Sequence, residues 1–274
     1  MSVSELLMQW FKTLAVAEGT AVNIEGYIKR YLNPMFGCIP IESLTRDVII
    51  DGFASMQVGD ASKSAAWRAL HQALDYAVEQ KWIEDNPMAN EQAPSYKKPE
   101  IRVLSEWEQS NLTDTALATA NRYGTAVLLG LYAGLSVGEL CALTWEDIDF
   151  AAMTIRVGHT VHRYFELRID DVKERLVPLP EIVAENLASI KQMSGLVYPA
   201  EQNRIVEPRT MRKGFERILA QAGINREITF SMLRDTYAVK MLQSGKSMEE
   251  IAHIVGMSVK AARERYEKFK EEIN

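Results

Sequence analysis

The sequence predicts a mainly α-helical protein of two domains, the second carrying a small antiparallel β-sheet. Three observations predict it. Apolar residues recur at helical period up to about residue 90, a polar stretch with two prolines at 91–100 has no period, and between Met153 and Leu179 the pattern switches to alternation. A length of 274 residues suits one large or two modest domains, and 47% hydrophobic with 25% charged residues is an ordinary globular composition.

The elements follow in order. Ser2-Val3-Ser4-Glu5 has capping-box spacing, and Leu6, Leu7, Trp10, Phe11 and Leu14 follow at helical period, so a first helix is expected there. A second is expected from about Ala21 to Leu32, stopping before Pro34 and Gly37. Thr45 is the expected N-cap of a third, which carries Val48, Ile49 and Phe53. A long fourth begins near Ser62 and includes Trp67, Leu70, Leu74, Ala77 and Val78. Residues 1–90 thus form one helical domain, 91–100 a linker, and 101–274 a second domain.

In the second domain Ser105 and Glu108 repeat the capping-box spacing, and a long apolar segment runs from Ala126 to Leu143. Thr154-Ile155-Arg156-Val157 and Val161 to Ile169 alternate as strands do, with a turn expected at Gly158 between them. Helical period returns from about Glu181 and persists to the end, with no internal repeat or low-complexity tract.

Composition narrows the function. No apolar run reaches bilayer-spanning length, and the start, Met1 to Glu5, lacks the layout of a secretory signal. A cytoplasmic location with no membrane partner is expected. Cys38 and Cys141 lie far apart and are expected to be buried reduced thiols, so no metal and no cofactor is expected. A net charge of −6 and a pI near 5.4 weigh against nucleic-acid binding in its simplest form. A basic channel can nevertheless coexist with acidic outer faces.

Three motifs carry chemistry. The first is Leu129-Gly130-Leu131-Tyr132-Ala133-Gly134-Leu135-Ser136-Val137-Gly138-Glu139-Leu140, and the second is Lys173-Glu174-Arg175-Leu176-Val177-Pro178-Leu179-Pro180. The third is Thr229-Phe230-Ser231-Met232-Leu233-Arg234, followed by Val255-Gly256-Met257 and Arg265-Tyr266. With the segment from Tyr76 to Pro87, they resemble the tyrosine recombinase (phage integrase) family over nearly the whole chain. The resemblance implies a two-domain integrase architecture, in which 1–90 is a helical, SAM-like core-binding domain for DNA and 101–274 an α+β catalytic-type domain.

In that family a tyrosine oxygen attacks a DNA phosphodiester to give a 3′-phosphotyrosine. Two arginines neutralise the phosphate, a lysine protonates the leaving oxygen, and histidines move protons. Here Arg234 and Tyr266 occupy family positions, whereas Ser136 stands for the first arginine, Asp170 for the lysine, and Ser231 and Met257 for the two histidine positions. Ser136 carries no charge, Asp170 repels a phosphate, Met257 cannot donate, and Ser231 offers one weak hydrogen bond. Loss of one such group costs about 10² to 10⁴ in rate, and the losses do not simply multiply. Strand cleavage is therefore expected to be lost. Whether the chain is an enzyme is left open, with the replacements weighing against it. Arg234 and Tyr266 are then vestigial: Arg234 as a partner for Glu139 or a phosphate contact, Tyr266 as a packed ring with its hydroxyl at the protein edge. Two residues are stand-in candidates, Arg168 on the strand face of Asp170 and His253 one helical turn before Met257.

The family closes its two domains around duplex DNA, which implies backbone contacts along the chain. Lys29 and Arg30 are candidates in the first domain, and Lys97, Lys98 and Arg102 at the linker. Arg163 and Arg168 are candidates on the hairpin, with Arg209, Arg212, Lys213 and Arg234 beyond it. A rival local reading takes Glu250 to Arg263 as a helix-turn-helix with Lys260 and Arg263 toward the major groove. The sequence thus points to a sequence-specific double-stranded DNA-binding regulator, such as a repressor of a phage or mobile element. The alternatives are an active site-specific recombinase using Tyr266 and a non-catalytic partner of one. Self-association and a regulatory ligand or protein are further partner expectations.

Overall fold

The structure, a computed structural model, describes residues 1–97, 100–119, 122–163 and 166–271. The chain divides into two compact units, Met1–Pro99 and Glu100–Asn274. As predicted, it is mainly helical with a small antiparallel sheet.

In the first unit, α1 (Val3–Thr13) starts at a capping box in which Ser2 Oγ accepts the Glu5 N–H and Glu5 accepts the Ser2 N–H. The helix expected to stop before Pro34 does not stop there. α2 (Glu18–Tyr27) passes into a π-helical stretch, Ile28–Leu32, and then into α3 (Asn33–Phe36). Pro34 falls at the start of α3, and the widened π turn before it makes room for the ring inside the continuing helix. α4 (Arg46–Ser55) is capped by Thr45, whose side chain accepts the Val48 N–H. Ile49 and Phe53 of α4 face inward but Val48 is exposed, being a third of a turn away from them. α5 (Asp60–Glu79) supplies Trp67, Leu70 and Leu74 to the core, where the Trp67 ring meets Phe53 edge-on at 4.9 Å. Cys38, expected to be buried, lies in the turn after α3 and is exposed.

In the second unit, α6 (Glu106–Ala118) begins at the Ser105–Glu108 capping box. The long apolar segment folds as two helices, α7 (Arg122–Tyr132) and α8 (Val137–Ala142), because Gly134 turns the chain at a φ of +69°. The sheet orders its strands β1 (Ile148–Asp149), β2 (Thr154–Arg163) and β3 (Leu167–Pro178), all antiparallel. Gly158 makes no turn. β2 runs through it with a register shift between Val157 and His159, and pairing continues to Arg163 opposite Leu167. The residues in excess lie between Asp171 and Arg175, so the bulge belongs to β3 and not to Gly158.

α9 (Glu181–Ser189) leads into a loop that interrupts the helical period expected from Glu181 onward, and α10 (Pro208–Gln221) follows it. α11 (Phe230–Gln243), α12 (Met248–Val255), α13 (Val259–Tyr266) and α14 (Lys268–Glu271) complete the unit. The central core gathers apolar side chains of α6 to α11 and the sheet, while a smaller cluster joins α11 to α14 around Ile251, Val255, Ala262 and Tyr266. No helix among the described residues is long and apolar enough to cross a membrane.

Candidate functional site

The site is built on the start of α8. Ser136 is its N-cap: the Ser136 hydroxyl accepts the Glu139 N–H at 3.3 Å, and Glu139 Oε2 accepts the Ser136 N–H at 2.8 Å. Glu139 Oε1 meets Arg175 Nη1 of β3 at 2.8 Å, and Arg175 Nε donates to the Ile254 carbonyl of α12 at 2.8 Å. Both side chains are buried. Burial pushes the Glu139 carboxyl up, but the bonds from Arg175 and Ser136 outweigh it and hold it below the usual carboxylate range. The partner of Glu139 is therefore Arg175 and not Arg234, because β3 delivers its arginine to the cap of α8.

Arg234 stands half-buried on α11, with Nη1 3.4 Å from the Val255 carbonyl. Ser231, a turn earlier, is exposed, and its hydroxyl lies 2.9 Å from that of Thr229. Ser136, Ser231 and Arg234 meet at a cleft of about 1010 Å³ that Arg209 and Arg212 of α10 also line. Asp170, Met257 and Tyr266, expected beside them from the resemblance, do not line it. Asp170 is held on β3 by Arg168, whose Nε is 2.7 Å from its carboxylate, so this arginine carries its own acid. Met257 packs half-buried against the C-terminal cluster, and His253 is exposed on α12.

Tyr266 has no exposed surface. Its hydroxyl donates to Asp235 Oδ1 at 2.8 Å, and Arg265 Nε and Nη2 reach the two oxygens of the same carboxylate at 2.8 and 2.8 Å. Burial, then the Asp235 charge, raises the phenol above its ordinary value. The hydroxyl expected at the protein edge is thus inside, because an acid on α11 accepts its proton there. Sequence reading passed over Asp235 and Arg265. The only signal was an acid directly after Arg234, and its partners come from another helix.

The proposed phosphate contacts scatter. Lys29 and Arg30 are exposed in the first unit, Lys29 paired with Glu25 at 2.6 Å and Arg30 bonded to the Gly26 carbonyl. Lys97 and Arg102 are exposed. Lys98 and the side chain of Arg163 lie outside the described residues. Arg209, Arg212 and Lys213 are exposed along α10 together with Arg217, which sequence reading passed over although it follows Lys213 by one helical turn. Arg156, Arg226, Arg263 and Arg265 are each held by a carboxylate. The four α10 cations form no ion pair among the described residues. The rival reading also has a counterpart: α12 and α13 join through Gly256 at a φ of +68°, with Lys260 exposed but Arg263 tied to Glu249 at 2.8 Å.

With this geometry in hand, known proteins give a consistent picture. Residues 102–272 match the phage integrase family. A "Tyrosine recombinase XerC-like" protein of Caldanaerobacter subterraneus is 23% identical, the match covering 94% of this chain and 76% of that protein. The fold is similar to that of the Tn1549 transposon integrase in complex with a circular intermediate DNA, at a TM-score of 0.83 and 17% identity over 97% of this chain and 95% of that one. It is also similar to a lambda integrase dimer bound to a core site, at a TM-score of 0.75 and 20% identity over 98% and 95%.

Proposed function

The chain belongs to the phage integrase family, and from that premise we propose that it is a sequence-specific double-stranded DNA-binding protein that no longer cleaves DNA, serving a phage or other mobile element as a transcriptional repressor. The observation that carries this reading is the state of Tyr266. Its oxygen is buried and bonded to Asp235, away from the cleft that Arg234 shares with Ser136 and Ser231. Attack on a phosphodiester needs an exposed oxygen and fixed cations around the phosphate. Ser136, at the first arginine position, caps a helix, and Asp170, at the lysine position, adds an anion.

Binding asks less of the site. The cations of α10, which form no ion pair among the described residues, suit, with Lys97 and Arg102, phosphate contacts that position a protein without reading sequence. The regulatory role rests on this pattern, in which contacts are kept and reacting groups replaced. Self-association belongs to the reading, since the similar lambda integrase structure is a dimer.

The test is to capture the protein on genomic fragments from its source, then wash one half natively and the other with hot detergent. Fragments enriched natively and released by detergent support the proposal. Fragments that survive detergent, and are lost in Tyr266→Phe, favour the second reading, an active site-specific recombinase. Retention of Arg234 and Tyr266, and the recombinase name of its relative, speak for that reading. No enrichment in either half favours a non-catalytic partner of a recombinase.

A further inference from the structure

Asp235 is 3% exposed and follows Arg234 on α11. Its carboxylate accepts three hydrogen bonds from two consecutive residues of α13, two from Arg265 and one from Tyr266. One carboxylate therefore fixes both the seating of α13 on α11 and the direction of the phenol. Charge-assisted bonds of this length are about twice as strong as neutral ones, and a bidentate guanidinium adds directional constraint.

The charged groups that face the phenol are Asp235 and Arg234 from α11 and Arg265 from its own helix. A phenolate beside the Asp235 carboxylate would place two anions within 2.8 Å of each other. Arg265 is already shared out in its bonds to that acid, and Arg234 leans to the Val255 carbonyl. The arrangement favours a neutral, inward phenol.

We propose that Asp235 is a positioning residue that locks Tyr266 as a buried hydrogen-bond donor, and that this lock withholds the tyrosine from DNA independently of the replaced cations in the cleft. The inference rests on reading Tyr266 as the family's nucleophile position, and it deepens the proposal that cleavage is lost by naming the residue that holds the tyrosine inward.

The experiment uses the full chain, its Asp235→Ala variant and its Asp235→Asn variant, each checked for folding by circular dichroism. Tetranitromethane labels accessible phenols, and mass spectrometry reports the Tyr266 rate against that of Tyr96, a half-buried phenol outside any helix or strand, with the phenol titration followed by absorbance alongside. In the wild type Tyr266 is expected to label at least about tenfold more slowly than Tyr96. Its rate is expected to rise about tenfold in Asp235→Ala and part of the way in Asp235→Asn, with the phenol titrating at lower pH in both. Labelling of wild-type Tyr266 as fast as Tyr96 overturns the lock, as does unchanged protection in a folded Asp235 variant. Should the alanine variant fail to fold, the asparagine variant decides.

The same variants, incubated with genomic fragments and washed in detergent, separate this inference from the one beneath it. A reactive phenol without a DNA adduct supports both. A reactive phenol with an adduct supports the lock and overturns the view that the replaced cations abolish cleavage.

Discussion

Arg175 serves three elements at once, and its loss should show at the residue scale. It neutralises Glu139 under the cap of α8, donates to the end of α12, and belongs to β3. Removing one member of a buried pair leaves an uncompensated charge, at a cost of about 3 to 5 kcal/mol. Arg175→Met is therefore expected to lower stability by that amount in urea denaturation, and adding Glu139→Gln to recover part of it. Acid dependence should centre on Glu108, where bonds from Arg226 hold the carboxyl down to about 2. A folded value below the unfolded one means stability that is present above about pH 4.5 and lost as pH falls toward 2. Denaturation midpoints between pH 5 and 2.5 are expected to fall less steeply in Glu108→Gln than in the wild type. Pairings of this kind were the least legible part of the sequence. Spacing shows that Glu139 sits near the site, but which arginine it faces depends on where β3 lands. The inward turn of Tyr266 was hidden for the same reason, since its acceptor lies on α11.

At the scale of elements, what is local was readable. A capping box is closed by residues three apart, so Ser2–Glu5 and Ser105–Glu108 could be placed from the sequence. The passage of a helix through Pro34 and the unbroken course of β2 at Gly158 could not, because both depend on what packs alongside. Two glycines illustrate the difference. A Cβ at Gly158 would have Glu174 Oε2 as its nearest atom at 3.7 Å, an ordinary contact. At Gly256 it would stand 2.8 Å from the Arg175 guanidinium, on a backbone at φ +68°. Left-handed backbone alone costs a non-glycine residue about 1 to 2 kcal/mol. Gly256→Ala should thus lose about 2 kcal/mol or more, and Gly158→Ala less than about 1 kcal/mol. Equal shifts of the two in thermal or urea unfolding would contradict this account of the α12–α13 junction.

For the whole molecule, the net charge of −6 describes the sum and not the arrangement. The fold class was legible because period and alternation are properties of long segments, whereas the α10 cations, interspersed with Glu216 and without an ion pair among the described residues, stand out only once the paired arginines elsewhere are known. If these cations meet DNA, changing Arg209, Arg212 and Lys213 to glutamine should flatten the dependence of log affinity on log salt by about one for each phosphate no longer neutralised. An unchanged slope would remove α10 from the interface. The two cysteines give the molecule a different use. Cys38 is exposed in the first unit, while Cys141 has no exposed surface in the second, and burial pushes its thiol up to about 12. A maleimide should therefore tag Cys38 at once and reach Cys141 only when the second unit opens. The slow tag becomes a built-in clock for the breathing of that unit, readable by mass in the unaltered protein.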